Sequence, residues 1–182
     1  MLKNIALFFT ATFLVVLIFG FVLPNNYEIT RTVTINAPVE KVHSHLNDLE
    51  KWPAWAPWHK QGSEVVIELG KISQGVGASQ TWIGEGKGSL EITQSSPTSG
   101  IEYLLRFGED TQDTKGTFAY QAKASQTDVT WTMAGEMTMP VIGPYAVLIM
   151  DMIAGPMLEK GMQSLKGVVE GKAPTDQKVA AE

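Results

Sequence analysis

Hydrophobic and polar positions divide the chain into three regimes. From Ile5 to Leu23, nineteen residues (IALFFTATFLVVLIFGFVL) carry no charge. At ~1.5 Å rise per residue they make a helix of roughly 28 Å, close to the hydrocarbon thickness of a bilayer. From Tyr27 the period changes to two. In YEITRTVTI, Tyr27, Ile29, Val33 and Ile35 fall on one face and Glu28, Thr30, Thr32 and Thr34 on the other, which predicts a half-buried strand. Asn36-Ala37-Pro38 then announces a helix, with Pro38 in its first turn and Asn36 or Ala37 at its cap. Val39, Val42 and Leu46 recur at helical spacing through about Asn47.

After Gly62 the chain becomes short alternating segments punctuated by glycine. Strands are predicted at EVVIEL (64–69), SQTWI (79–83), SLEITQS (89–95), IEYLLRF (101–107), TFAYQAKA (117–124) and VTWTMAGEMTM (129–139). Ile101, Tyr103, Leu105 and Phe107 share one face of the fourth of these. Phe118, Tyr120 and Ala122 share a face of the fifth, and Val129, Trp131, Met133, Met137 and Met139 a face of the last. Successive strands with short connections imply an antiparallel sheet with one wet and one dry face.

Pro140 ends that run. Leu158, Met162, Leu165 and Val169 then follow at spacings of four, three and four, the signature of a helix with one apolar stripe. Gly155-Pro156 predicts a kink or a break, giving segments near 144–154 and from Pro156 to about Glu170. GKAPTDQKVAAE has no pattern and reads as a disordered tail. The organisation is a transmembrane anchor over 1–24, one α+β domain over 25–170 and a tail over 171–182. In that domain one long C-terminal helix covers the dry face of a strongly curved antiparallel sheet, a shape that often leaves a hollow between the two.

Composition narrows the chemistry. The 182 residues carry a formal charge of −5 and no cysteine, so there is no basic footprint for nucleic acid, no disulfide and no cysteine-held zinc. His43, His45 and His59 make no convincing metal set, since positions two apart on a helix point in different directions. No metal or cofactor is expected. The apolar run exits through FVLPNNYE without a small-x-small cleavage pattern, which favours an uncleaved anchor over a signal peptide. Lys3 before the run, with Glu28 and Arg31 nearly cancelling after it, places the N-terminus in the cytoplasm. The expected protein is a single-pass one of a bacterial inner membrane, with its domain in the periplasm.

The stretch KWPAWAPWHK (51–60) sets Trp52, Trp55 and Trp58 among Pro53 and Pro57, and two prolines forbid a regular helix there. The rings either all pack into the core, or Trp55 or Trp58 lines the mouth of a cavity. Seven of the eight methionines lie between Met133 and Met162, and methionine adapts to irregular shapes. Met133, Met137 and Met152 are therefore candidates for a pliable ligand wall, with Trp82, Tyr103, Phe118, Tyr120 and Trp131 completing it. Asp151, seven residues before Leu158, shares its inward face on a continuous helix. It is read either as a polar anchor or general acid/base in an apolar pocket, or as the structural partner of Arg31. It is the sole catalytic candidate, because the inward faces are otherwise nearly devoid of the convergent polar groups that catalysis needs.

VTINAPVEKVHSHLNDLEKWPAWAPW resembles the opening of the START-like (SRPBCC) superfamily, especially its polyketide cyclase/dehydrase branch. Ala37-Pro38, Val42, Asp48, Trp52, Trp55, Pro57 and Trp58 stand at the places of its strand–Ala-Pro–helix–W-x-x-W-x-P-W pattern. GVGASQTWIGEGKGSLEITQSSP is similar to its Gly-rich hairpin, TDVTWTMAG to its Thr-x-Val-x-Trp strand, and EKGMQSLKGVVE to the end of its last helix. The resemblance spans about residues 29–170 and implies the helix-grip fold with an internal cavity for lipids or other apolar molecules. Binding of a hydrophobic small molecule or lipid without catalysis is the function expected. The alternatives are a cyclase/aromatase-like or hydrolytic enzyme using Asp151 with Tyr103 or Tyr120, and an interaction module docking a membrane-protein partner.

Overall fold

The computed structural model describes residues 2–59, 65–84, 86–108 and 113–172. Helix α1 (Leu2–Val22) is followed by β1 (Asn26–Ile35) and α2 (Val39–Leu46). Two short 3-10 segments, Leu49–Ala54 and Pro57–His59, come next. Six strands follow: β2 (Val66–Leu69), β3 (Ser79–Ile83), β4 (Lys87–Ser96), β5 (Gly100–Phe107), β6 (Thr114–Lys123) and β7 (Gln126–Glu136). Helix α3 (Gly143–Val169) closes the domain. All strand pairs are antiparallel, in the order β1-β7-β6-β5-β4-β3-β2. The first strand thus crosses to pair with the last, Ile29 opposite Met133 and Val33 opposite Val129.

One face of this sheet is dry. Ile29, Leu90, Ile92, Ile101, Tyr103, Phe118, Val129 and Trp131 are buried there against α2 and α3, where Val42, Leu46, Leu158, Met162, Leu165 and Val169 meet them. The other face is polar and stitched by hydroxyls. Thr30 and Thr132 are 3.0 Å apart, Thr32 and Thr130 3.0 Å, and Thr34 donates to Asp128 at 2.7 Å. Cross-strand pairs of this kind stabilise a sheet face without closing it to water. At the N-terminus, α1 is long and apolar enough to cross a membrane, and almost none of it is buried.

Several details depart from the sequence reading. Pro38 stands at the cap of α2 itself, its carbonyl accepting from Lys41 and Val42, while Asn36 bonds to Glu170 and Gln126 instead of capping. β7 ends at Glu136, so Met137 and Met139 lie outside the strand. There the Met137 amide turns to the Asn25 carbonyl and the chain bends through Pro140. α3 runs unbroken through Gly155-Pro156. Proline removes the bond to the carbonyl four residues back, here that of Met152. Both Met152 and Pro156 are on the exposed side, so the defect faces outward while Leu158 and Met162 hold the helix from within. The strand expected from residue 64 begins at Val66; residue 64 itself and the tail from 173 lie outside the described residues.

The far end of α3 is tied to the β1–α2 corner by one carboxylate. Glu170 accepts from the Asn36 backbone at 2.9 Å, the Asn36 amide at 2.7 Å and Lys172 at 2.7 Å. These donors, Lys172 foremost, hold the Glu170 carboxyl down to about 2 from an ordinary 4.5. A depressed folded-state pKa stabilises the fold above the unfolded-state value, and that stabilisation is lost as pH falls through the folded one. Glu170→Gln is therefore expected to lower stability at neutral pH and to flatten the loss between about pH 4.5 and 2. Urea denaturation followed by tryptophan fluorescence across that range checks it; an unchanged acid limb in the variant would contradict the assignment.

Candidate functional site

The tryptophan turn is built by short-range constraints. Asp48 caps the first 3-10 segment by accepting from the Glu50 amide at 3.1 Å, and Pro53 is accommodated because the segment is only six residues of 3-10. Trp52 is completely buried and donates to the Leu46 carbonyl at 3.0 Å, fixing the turn to the end of α2. From there a continuous set of rings crosses the domain. Trp52 lies 5.0 Å from Trp55 and 5.6 Å from Tyr103, Trp55 lies 5.8 Å from Phe118, and Phe118 stacks on Trp131 at 4.8 Å. Trp58 touches both Trp52 and Trp131 at 6.0 Å. Trp131 donates to the Tyr103 hydroxyl at 2.7 Å, and burial pushes that phenol's pKa up. Gly161 of α3 passes so close that a Cβ there would be 2.8 Å from the Trp131 ring.

These rings fill the centre of the space between sheet and helix. Beside them a cavity of about 190 Å³ remains, with an almost wholly apolar wall. Trp58 forms its rim nearest the turn, and Val65 and Ile67 enclose it at β2. Gln80 and Trp82 come from β3, Leu105 and Phe107 from β5, Met133 from β7 and Met157 from α3. The cavity is about six times the volume that liquid water gives one molecule, ~30 Å³. Val65, Trp82 and Phe107 also border a shallower groove that runs out to Gly86, Lys87 and Gly108. Among the described residues, Gln80 is the one wall side chain with a carboxamide, hydroxyl or charged group. It is 1% exposed, and neither its amide nitrogen nor its oxygen has a hydrogen-bond partner.

The family of polyketide cyclase / dehydrase and lipid transport proteins matches residues 27–170. This chain belongs to that family. Among curated proteins none matches it. Several solved structures share the fold. A START superfamily protein from Mycobacterium smegmatis is 20% identical, with a TM-score of 0.57 over 80% of this chain and 98% of its own. A protein of Thermus thermophilus is 19% identical, with a TM-score of 0.58 over 79% and 97%. The Aha1 dimer from Colwellia psychrerythraea is 17% identical, with a TM-score of 0.53 over 79% and 96%. The fold is the helix-grip of the START-like superfamily, and the domain is of its hydrophobic-ligand-binding kind.

Within this polyketide cyclase family domain, the residues singled out from sequence separate into distinct places. Trp58, Trp82 and Met133 meet on the cavity wall. Trp55, Tyr103, Phe118 and Trp131 do not reach it; they belong to the packed ring cluster. Tyr120 is beside α2, its hydroxyl 3.4 Å from His43, and burial raises its pKa. Desolvation lowers that of His43. Met137 follows the end of β7 and Met152 stands exposed on α3. Asp151 is mostly exposed and forms an ion pair with Arg31 of β1 at 2.9 Å, which lowers its pKa through the hydrogen bond. Tyr103, Tyr120 and Asp151 thus have three separate sets of partners. Met157, one of the methionines between Met133 and Met162, is on the wall, and the wall residues not foreseen are Val65, Ile67, Gln80, Leu105 and Phe107. Gln80 shares a strand face with Trp82, two residues on, and that alternation was the available signal.

The split between core and wall has a measurable consequence. Tyr103→Phe leaves the buried Trp131 donor unpaired, at a cost of about 1–3 kcal/mol. Binding of an apolar fluorescent probe is expected to stay within twofold, because Tyr103 does not line the cavity. Denaturant unfolding and probe titration on the same variant test both halves of that expectation.

Proposed function

We propose that the protein holds one hydrophobic small molecule or one lipid chain in the cavity beneath β2 and β3, at a membrane to which α1 anchors it, and does no chemistry on it. The observation that carries this reading is the apolar cavity of about 190 Å³ left open beside an otherwise filled core. Well-packed interiors rarely leave voids larger than a water, so a hollow of this size walled by tryptophan, methionine and aliphatic side chains suits a flexible apolar guest. The volume takes part of a long chain, with the remainder lying along the groove toward Lys87.

Binding rather than turnover is supported by the wall's chemistry. Proton transfer and nucleophilic attack need several polar groups converging on one atom, whereas the wall carries a single carboxamide. The anchor reading is supported by the length and apolarity of α1, and the outward orientation of the domain by Lys3 at its start.

The unpartnered Gln80 amide adjoins this guest space. Gln80→Leu removes an unsatisfied buried donor and acceptor, and is expected to raise stability by about 1 kcal/mol or more. A lower stability in denaturant titration would show that the amide finds partners in solution. Met157→Trp places a large ring in the cavity and is expected to cut the affinity for a fluorescent fatty acid at least about tenfold, one such factor corresponding to 1.4 kcal/mol. Circular dichroism establishes that the variant is folded. Undiminished binding by a folded Met157→Trp protein would sink the assignment of this cavity.

A further inference from the structure

The first half of α3 carries an apolar stripe that no other described part of the domain covers. Ile142 precedes it, and Leu148, Ile149, Met152 and Ile153 continue it at helical spacing, with exposures between 47 and 77%. From Val141 to Met150 there is no charged residue. Single exposed hydrophobics are ordinary, but a contiguous exposed stripe marks a contact surface. The ion pair of Asp151 with Arg31 occupies the opposite, sheet-facing side of the helix.

The stripe starts where α1 touches the domain. A Cβ on Gly20 would lie 2.6 Å from the Val141 carbonyl, so the two backbones meet directly. Val141 takes a positive φ of 65°, a strained conformation for a β-branched residue, at that contact. The Tyr145 hydroxyl donates to the Val16 carbonyl at 2.6 Å. Val16 precedes the end of α1 by six residues, which is ~9 Å along a helix. An anchor of this length has its last turn near the membrane surface, so a residue ~9 Å back is inside the hydrocarbon boundary.

We infer that the exposed apolar stripe of α3 from Ile142 to Ile153 is seated in the lipid bilayer beside α1. This rests on the reading of α1 as a membrane anchor. The medium that solvates the nearly unburied, apolar α1 is the one the stripe meets first, because the two are joined at Val16–Tyr145 and Gly20–Val141. The stripe then leads inward. Met157, one turn beyond Ile153, is the α3 side chain on the cavity wall. Glu159 and Lys160, both exposed and within one turn of Met157, begin the charged part. An apolar path therefore connects lipid to cavity along a single helix, and the guest reaches the cavity from the membrane without crossing water.

The chain has no cysteine, so single labels report cleanly. Ile149→Cys, Met152→Cys, Phe13→Cys and Lys160→Cys in the full chain are labelled with a nitroxide and reconstituted in phosphatidylcholine vesicles. Accessibility to oxygen, which partitions into lipid, is compared with that to a water-soluble nickel chelate. The expected result is oxygen preference at Ile149 and Met152, as at Phe13, and its inversion at Lys160. Nickel preference at Ile149 and Met152 with oxygen preference at Phe13 overturns the inference and leaves the anchor standing. Nickel preference at Phe13 as well overturns both. Labels at Ile149 and Met152 shielded from both reagents would mean that protein covers the stripe, which also overturns it.

Discussion

Ring packing between the tryptophan turn and the sheet is the constraint on which the domain depends. Trp52, Trp55, Trp58, Tyr103, Phe118 and Trp131 form one connected set, with contributions from the turn, β5, β6 and β7. Each favourable aromatic pair adds ~0.5–1.5 kcal/mol beyond the area it buries. The rings are also rigid and cannot spread to fill whatever volume remains. Their fit fixes how far α3 stands from the sheet, since Gly161 rides directly on Trp131. The cavity is the residue of that fit. On its side of the cluster the wall passes to methionine, valine, leucine and isoleucine, with the separate Trp82–Phe107 ring pair at its outer side.

The order of elements was legible because each segment carried one clear period. β3 coincides with its predicted bounds, and β1, β4 and β5 agree to within two residues at either end. Alternation fixes faces as well as limits, so Leu105 and Phe107 could be placed inward with Tyr103. What alternation cannot give is depth. Tyr103 and Leu105 share a face, yet one lies in the filled centre and the other at the cavity. That difference is set by where the sheet curves away from α3, a property of seven strands together.

Helix phase raised a related difficulty. Asp151 does lie on the sheet-facing side of α3, as its spacing from Leu158 requires, but α3 there runs over the edge strand β1, and Arg31 meets it in place of a pocket. Direction was readable and surroundings were not. Pro156 misled for a different reason. A proline breaks a helix when the freed carbonyl has no alternative and the packing is indifferent; here the defect is outward and the packed stripe from Leu158 onward continues the axis. Gln80 escaped notice because a polar residue on an otherwise dry face reads as an interruption, although its 1% exposure makes it part of the interior.

One edge of the sheet has a consequence of its own. β2 is four residues long and hydrogen-bonds to β3 alone, yet Val65 and Ile67 close one side of the hollow. A short strand with a single neighbour frays at far lower free energy than a central one. Amide hydrogen exchange at this edge therefore reports directly on the opening of one wall of the hollow. The shortness that discourages edge-to-edge association between copies also makes this strand the sheet's weakest seam.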